Sequence, residues 1–133
     1  MFYSYAVTIN ANTAAASPKI QDLKLVAGVV VNVGIQFPAG CKGLAHCSLW
    51  HEGRQWLPTN PDEYFTADGN TIPIQERYNI PAGLNIVRFI GYNTDTLYSH
   101  TITIYINILP PEVADSSLYV YSALARFAQL IGA

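Results

Sequence analysis

Charge is what this chain of 133 residues has least of: 12% of it is Asp, Glu, Lys or Arg, against about 25% in an average soluble domain, while half is hydrophobic. Thr, Asn, Ser and Tyr must then cover much of the surface, and a surface so thinly charged is poorly defended against association. The seven basic residues are scattered from Lys19 to Arg126, and the formal net charge is −2. A dedicated nucleic-acid binder is excluded, because phosphate contacts need a clustered basic footprint. The first residues, Met1 to Tyr5, lack the basic start, apolar block and cleavage site of a secretion signal, so export by that route is not expected. The absence of any Asn-x-Ser/Thr acceptor agrees with this. Two cysteines, Cys41 and Cys47, imply no disulfide framework in such a context.

Active-site signatures are missing as well. Neither a Gly-x-Ser-x-Gly turn nor a Gly-rich phosphate loop occurs, and Ser99 and His100, as neighbours on a strand, point apart. No enzyme and no cofactor are expected. Cys41, His46, Cys47 and His51 place four soft ligands within eleven residues. On a strand, however, His46 and His51 face opposite ways and Cys47 shares the core side of Leu49, so no metal is expected either. Asp62, Glu63, Asp68 and Asn70 do not follow the spacing of a calcium loop and read as a solvated loop.

What the chain has in quantity is alternation. From Ile102 to Ile108 isoleucine takes every second place, which sends these side chains into one core and leaves Thr101, Thr103, Tyr105 and Asn107 on the other face. Leu84 to Tyr92 is a second apolar run, and the turn-forming Asn93 to Thr96 between the two suggests a β-hairpin. Upstream, Tyr3, Tyr5, Val7, Ile9 and Ala11 alternate with small polar residues. Val29, Val31, Val33, Ile35 and Phe37 form another inward set, and Ala45, Cys47, Leu49 and His51 a third. Glu52-Gly53-Arg54 reads as a tight reversal into Gln55 to Leu57. Ile20 to Leu25, Thr71 to Gln75 and Tyr78 to Ile80 are shorter pieces, Pro73 marking an edge. About eight strands at spacings of roughly ten residues predict an all-β fold, a single antiparallel β-sandwich over 1–109.

The period changes after Pro110-Pro111. Val113, Val120, Leu124, Phe127 and Ile131 recur at helical spacing, so 110–133 is expected to be a C-terminal helical tail. Arg126 and Gln129 interrupt its apolar run, which is too short for a membrane span. The tail is expected to dock on another subunit through Val113, Leu118, Val120, Leu124, Phe127 and Ile131, with docking on its own sandwich as the competing reading and membrane contact as a third. In the middle third, Trp50, Trp56 and Tyr64 are candidates for aromatics that stack on a sugar, with core and edge packing as the competing reading.

Three stretches carry a resemblance: Phe37-Pro38-Ala39-Gly40-Cys41-Lys42-Gly43-Leu44, Trp56-Leu57-Pro58-Thr59-Asn60-Pro61, and Gly91 to Ile102. Together they resemble the small jelly-roll or immunoglobulin-like β-sandwich proteins that build or decorate virus and bacteriophage particles. The resemblance implies a jelly-roll-like structural subunit of a virion, made in the host cytoplasm and present in many copies. Its partners would be itself and other virion proteins, with no catalytic residue to carry over. The alternative is a carbohydrate-binding β-sandwich module.

Overall fold

The computed structural model describes residues 1–110. The tail, with the predicted helix and its candidate contacts Val113, Leu118, Val120, Leu124, Phe127 and Ile131, lies outside the described residues. Within them are eight strands: β1 (Phe2–Ile9), β2 (Lys19–Lys24), β3 (Gly28–Gln36), β4 (Ala45–His51), β5 (Arg54–Leu57), β6 (Thr71–Ile80), β7 (Ile86–Asn93) and β8 (His100–Leu109). They form two four-stranded antiparallel sheets, in the orders β1-β8-β3-β6 and β2-β7-β4-β5. We call them the first and second sheet. Val7, Ile9, Ile35, Ile102, Ile104 and Ile106 from the first meet Leu23, Leu49, Val87 and Phe89 from the second in one buried cluster. The chain is therefore a β-sandwich, with its core made by the inward residues of both sheets.

The β8 alternation is realised as expected: Ile102, Ile104, Ile106 and Ile108 are buried, and the residues between them face outward. Its partner is not the expected one. β7 and β8 are not a hairpin, because β7 pairs with β2 and β4 in the second sheet while β8 lies between β1 and β3 in the first. Alternation fixes which side of a strand is buried, and two strands facing each other across a core carry the same pattern as two strands side by side. The polar residues after β7 make a crossover between sheets. Asn93, fully buried, donates from Nδ2 to Tyr98 O at 2.9 Å and accepts from Asp95 N at 3.0 Å, which turns the chain back over the end of the sandwich.

One hairpin is present as predicted. β4 and β5 are joined through Glu52 and Gly53, both at positive φ (54° and 72°), the backbone of a turn whose twist matches that of its strands. β3 departs from strict alternation. Val30 is opposite Ile108 and Asn32 opposite Asn107, so Val31 is one residue extra and forms a bulge. The bulge changes the phase: Val30, Val33, Ile35 and Phe37 are buried, whereas Val29 and Val31, expected inside, are only half-buried. The two short pieces expected around Pro73 are a single strand, β6. It lies at the edge of its sheet, where the missing N–H of Pro73 leaves no central ladder broken.

Candidate functional site

A sandwich presents two outer faces, and here they differ in chemistry. In the first sheet, β1, β3 and β8 contain no Asp, Glu, Lys or Arg at all. Glu76 and Arg77, on edge strand β6, are the only charged residues in its strands. The outward positions are hydroxyls, amides and rings that bond laterally to one another. Thr8 and Thr101 lie with hydroxyls 2.9 Å apart, and Tyr105 donates its hydroxyl to Gln36 Oε1 at 3.0 Å. Phe2, 68% exposed, approaches Tyr105 with ring centroids 6.0 Å apart. Gly34 lies beneath that ring: a Cβ there would sit 3.5 Å from Tyr105 Cδ2. Across β1, β3 and β8 the outer face is uncharged, with some of its polar groups bonded to neighbours on the same face.

The outer face of the second sheet carries charge and aromatic rings. Register places Asp22, Arg88 and Trp50 in one row across β2, β7 and β4. Arg88 Nε donates to Asp22 Oδ1 at 3.1 Å. Trp50 Nε1 donates to Ser48 Oγ at 3.0 Å. Ser48 also points outward yet is only 1% exposed, and its hydroxyl additionally donates to Ile90 O at 3.4 Å. Trp50 is thus fixed along the strand, at the edge of a groove of about 530 Å³ lined by Asp22, Trp50, Glu52, Ile86, Arg88 and Ile90.

The other two aromatic candidates go elsewhere. Trp56 is buried with the core, 8% exposed and packed on Tyr78 with centroids 4.7 Å apart. Gln55 is opposite Trp50, so Trp56, next along β5, turns to the core face, and the irregularity between Leu49 and Trp50 brings Leu57 opposite Leu49 beside it. Tyr64 is half-buried and does reach the second sheet, because Phe65 exchanges backbone hydrogen bonds with Cys47 (2.8 and 3.1 Å). It meets Tyr92 edge-on at 4.9 Å, and Tyr92 stacks on His46 at 4.1 Å. Trp50, Trp56 and Tyr64 therefore make no common platform; Trp50 alone lines the groove.

The soft-ligand cluster does not converge. Cys41, Cys47 and His51 are buried while His46 points to the outer face, and both cysteines are free. Burial pushes the Cys47 thiol far up, leaving it a neutral core side chain. His51 accepts at Nδ1 from the Tyr78 hydroxyl and donates from Nε2 to Leu84 O, each at 2.6 Å, which consumes both nitrogens. Burial lowers the pKa of His46, whose Nδ1 is bonded to Leu44 O at 2.9 Å. Among the described residues no group of three or more His, Cys, Asp or Glu is placed to hold a metal ion. In the acidic loop, Asp68 accepts from Gly40 N at 2.8 Å, and Gln55 fastens the chain by donating to Pro58 O and Asn60 O.

A polar knot closes the β7–β8 crossover. Asp95 accepts from the backbone N–H of Leu97 (2.9 Å) and of Tyr98 (3.2 Å), and His100 Nε2 lies 2.8 Å from its other oxygen. These donors, the Leu97 amide foremost, hold the Asp95 carboxyl below the usual carboxylate range. A carboxyl depressed in the folded state adds stability above its unfolded value of about 4, and this is lost as pH falls through the lowered one. The midpoint of thermal melting is therefore expected to fall more steeply below about pH 4 in the native chain than in Asp95→Asn, which should already be less stable at neutral pH. Parallel acid profiles for the two would remove this role.

Fold and faces together define a small antiparallel β-sandwich with one neutral face and one charged, aromatic face. No protein-family model matches the chain, and no curated protein matches it. Among solved structures it is similar to the crystal structure of FLHE at 14% identity, with 80% of this chain and 96% of that chain covered and a TM-score of 0.36. At that score the likeness carries no argument about fold or function.

Proposed function

We propose that this protein is a non-enzymatic structural subunit of a virion, assembled from many copies through the outer face of the first sheet and through the tail. The absence of any charged residue from β1, β3 and β8 carries the reading. Water-exposed sheet faces normally bear interspersed charge, and interface centres are depleted of it. Four strands of about nine residues, with 3.3 Å per residue and 4.8 Å between strands, span roughly 570 Å² in projection. Two such faces packed together bury about 1,100 Å², close to the lower limit of a specific interface, so the apolar tail is needed for a firm one.

The strand order favours a jelly roll. β1 pairs with β8, β2 with β7, β3 with β6 and β4 with β5, so the chain is one long antiparallel ribbon rolled upon itself. Capsid and lectin domains both use this arrangement, and it does not choose between them. The virion setting rests on the resemblance of Phe37 to Leu44, Trp56 to Pro61 and Gly91 to Ile102, and makes self-association and other virion proteins the partners.

Thr103→Glu tests the face. Thr103 lies outward on a central strand, opposite Ala6 and Gln36, where an isolated chain tolerates a carboxylate at little cost. Buried between two copies, the unpaired charge should weaken assembly by about a hundredfold or more at an unchanged monomer fold. Sedimentation of the variant and the native chain reads this directly. Equal assembly would place the contacts elsewhere.

A further inference from the structure

We propose that the groove at Trp50, on the face opposite the assembly surface, binds a neutral saccharide. The inference is independent of the virion reading and stands on three features of the groove.

The first is the fixed ring. The bond from Trp50 Nε1 to Ser48 Oγ ties the indole to its own strand, at the groove it lines. A pyranose has C–H groups on one face and hydroxyls around its rim; the C–H face packs on an aromatic plane with little loss of side-chain freedom when that plane is already immobilised. The second is the polar row beside it. Arg88 is the immediate cross-strand neighbour of Trp50, and Asp22 is the next, so a sugar on the indole has its hydroxyls above a guanidinium and a carboxylate. Both groups are about half exposed, and their 3.1 Å pairing pre-sets their planes. Planar donors and acceptors of this kind bond two adjacent hydroxyls at once.

The third feature is the charge. Asp22 and Glu52 outnumber Arg88 in the lining, which disfavours phosphate, sulfate and sialic acid and favours an uncharged ring. Ile86, 44% exposed, and Ile90 supply apolar walls, and the volume falls within the range of about 300 to 1,000 Å³ typical of small-ligand sites.

The test uses the full chain with methyl β-glucoside, methyl β-galactoside, cellobiose and lactose as probes in saturation-transfer NMR, beside an array of neutral, sialylated and sulfated glycans. The expected result is binding to at least one neutral probe, weakened about tenfold or more in Trp50→Ala and clearly weakened in Arg88→Ala, with the β-sheet circular dichroism of both unchanged. No neutral glycan bound by the native chain would overturn the proposal without reference to any variant. Binding confined to acidic glycans, or undiminished in a folded Trp50→Ala, would overturn it too. If Trp50→Ala dissolves the assembly and leaves glycan binding as it was, the groove is a subunit contact and the proposal fails.

Discussion

Ile104→Asn is expected to cost on the order of 3 kcal/mol or more of folding stability, the largest effect of any single substitution considered for the sheets. Ile104 is fully buried in the middle of β8, opposite Tyr5 on one neighbouring strand and Ile35 on the other. Asparagine there loses the burial of the aliphatic side chain and sets an amide among Ile102, Ile106 and Ile35, where no side-chain partner is at hand. The two losses add, since an unpaired polar group pays its full desolvation cost. Thr103→Asn, one position along and facing outward, should cost less than about 1 kcal/mol. Urea unfolding of both variants measures the difference. Equal losses would mean that the outer face of the first sheet is covered within a single chain, leaving no free surface for assembly.

Removal of everything after Pro110 is expected to leave the fold and remove the firm assembly. The eight strands described lie within residues 1–110, and the last pairings of β8, Ile108 with Val30 and Leu109 with Val29, are made there. The two prolines at 110 and 111 stop the ladder there. The tail nevertheless carries Val113, Leu118, Val120, Leu124, Phe127 and Ile131, and leaving such side chains in water forgoes roughly 1.5 to 3 kcal/mol each. The shortened chain should keep its β-sheet circular dichroism and a cooperative melt, while its association falls to the weak level that one sheet face supports. An insoluble or non-cooperatively melting product would show that the tail completes its own core. An unchanged oligomer would place all the contacts on the sandwich.

The strands were legible because their periods are clean. Ile102 to Ile108 and Tyr3 to Ile9 each state which side is buried, and Glu52-Gly53 states where the chain reverses. Partnership was not legible. A two-residue period says nothing about whether β7 lies beside β8 or across the core from it, and the answer rests on how Asn93 and Asp95 fold the intervening loop. The Val31 bulge was hidden for a similar reason, since a run of valines reads equally well in either phase. Trp50 and Trp56 look alike in the sequence, but the hairpin register sets Gln55 opposite Trp50, so Trp56, next along β5, turns to the core, and the pairing irregularity that follows buries Leu57 as well. The neutral face is nearly legible in the sequence. Once charges are placed on strands and not merely counted, β1, β3 and β8 stand out, and the register needed to make them neighbours is all that the sequence withholds.

Self-association of this chain is the central claim, and light scattering after size exclusion of the full-length protein measures it most directly. Across a hundredfold dilution from micromolar concentration it predicts a mass that is a multiple of 14.6 kDa, sensitive to Thr103→Glu. A single species of 14.6 kDa at every concentration would contradict it.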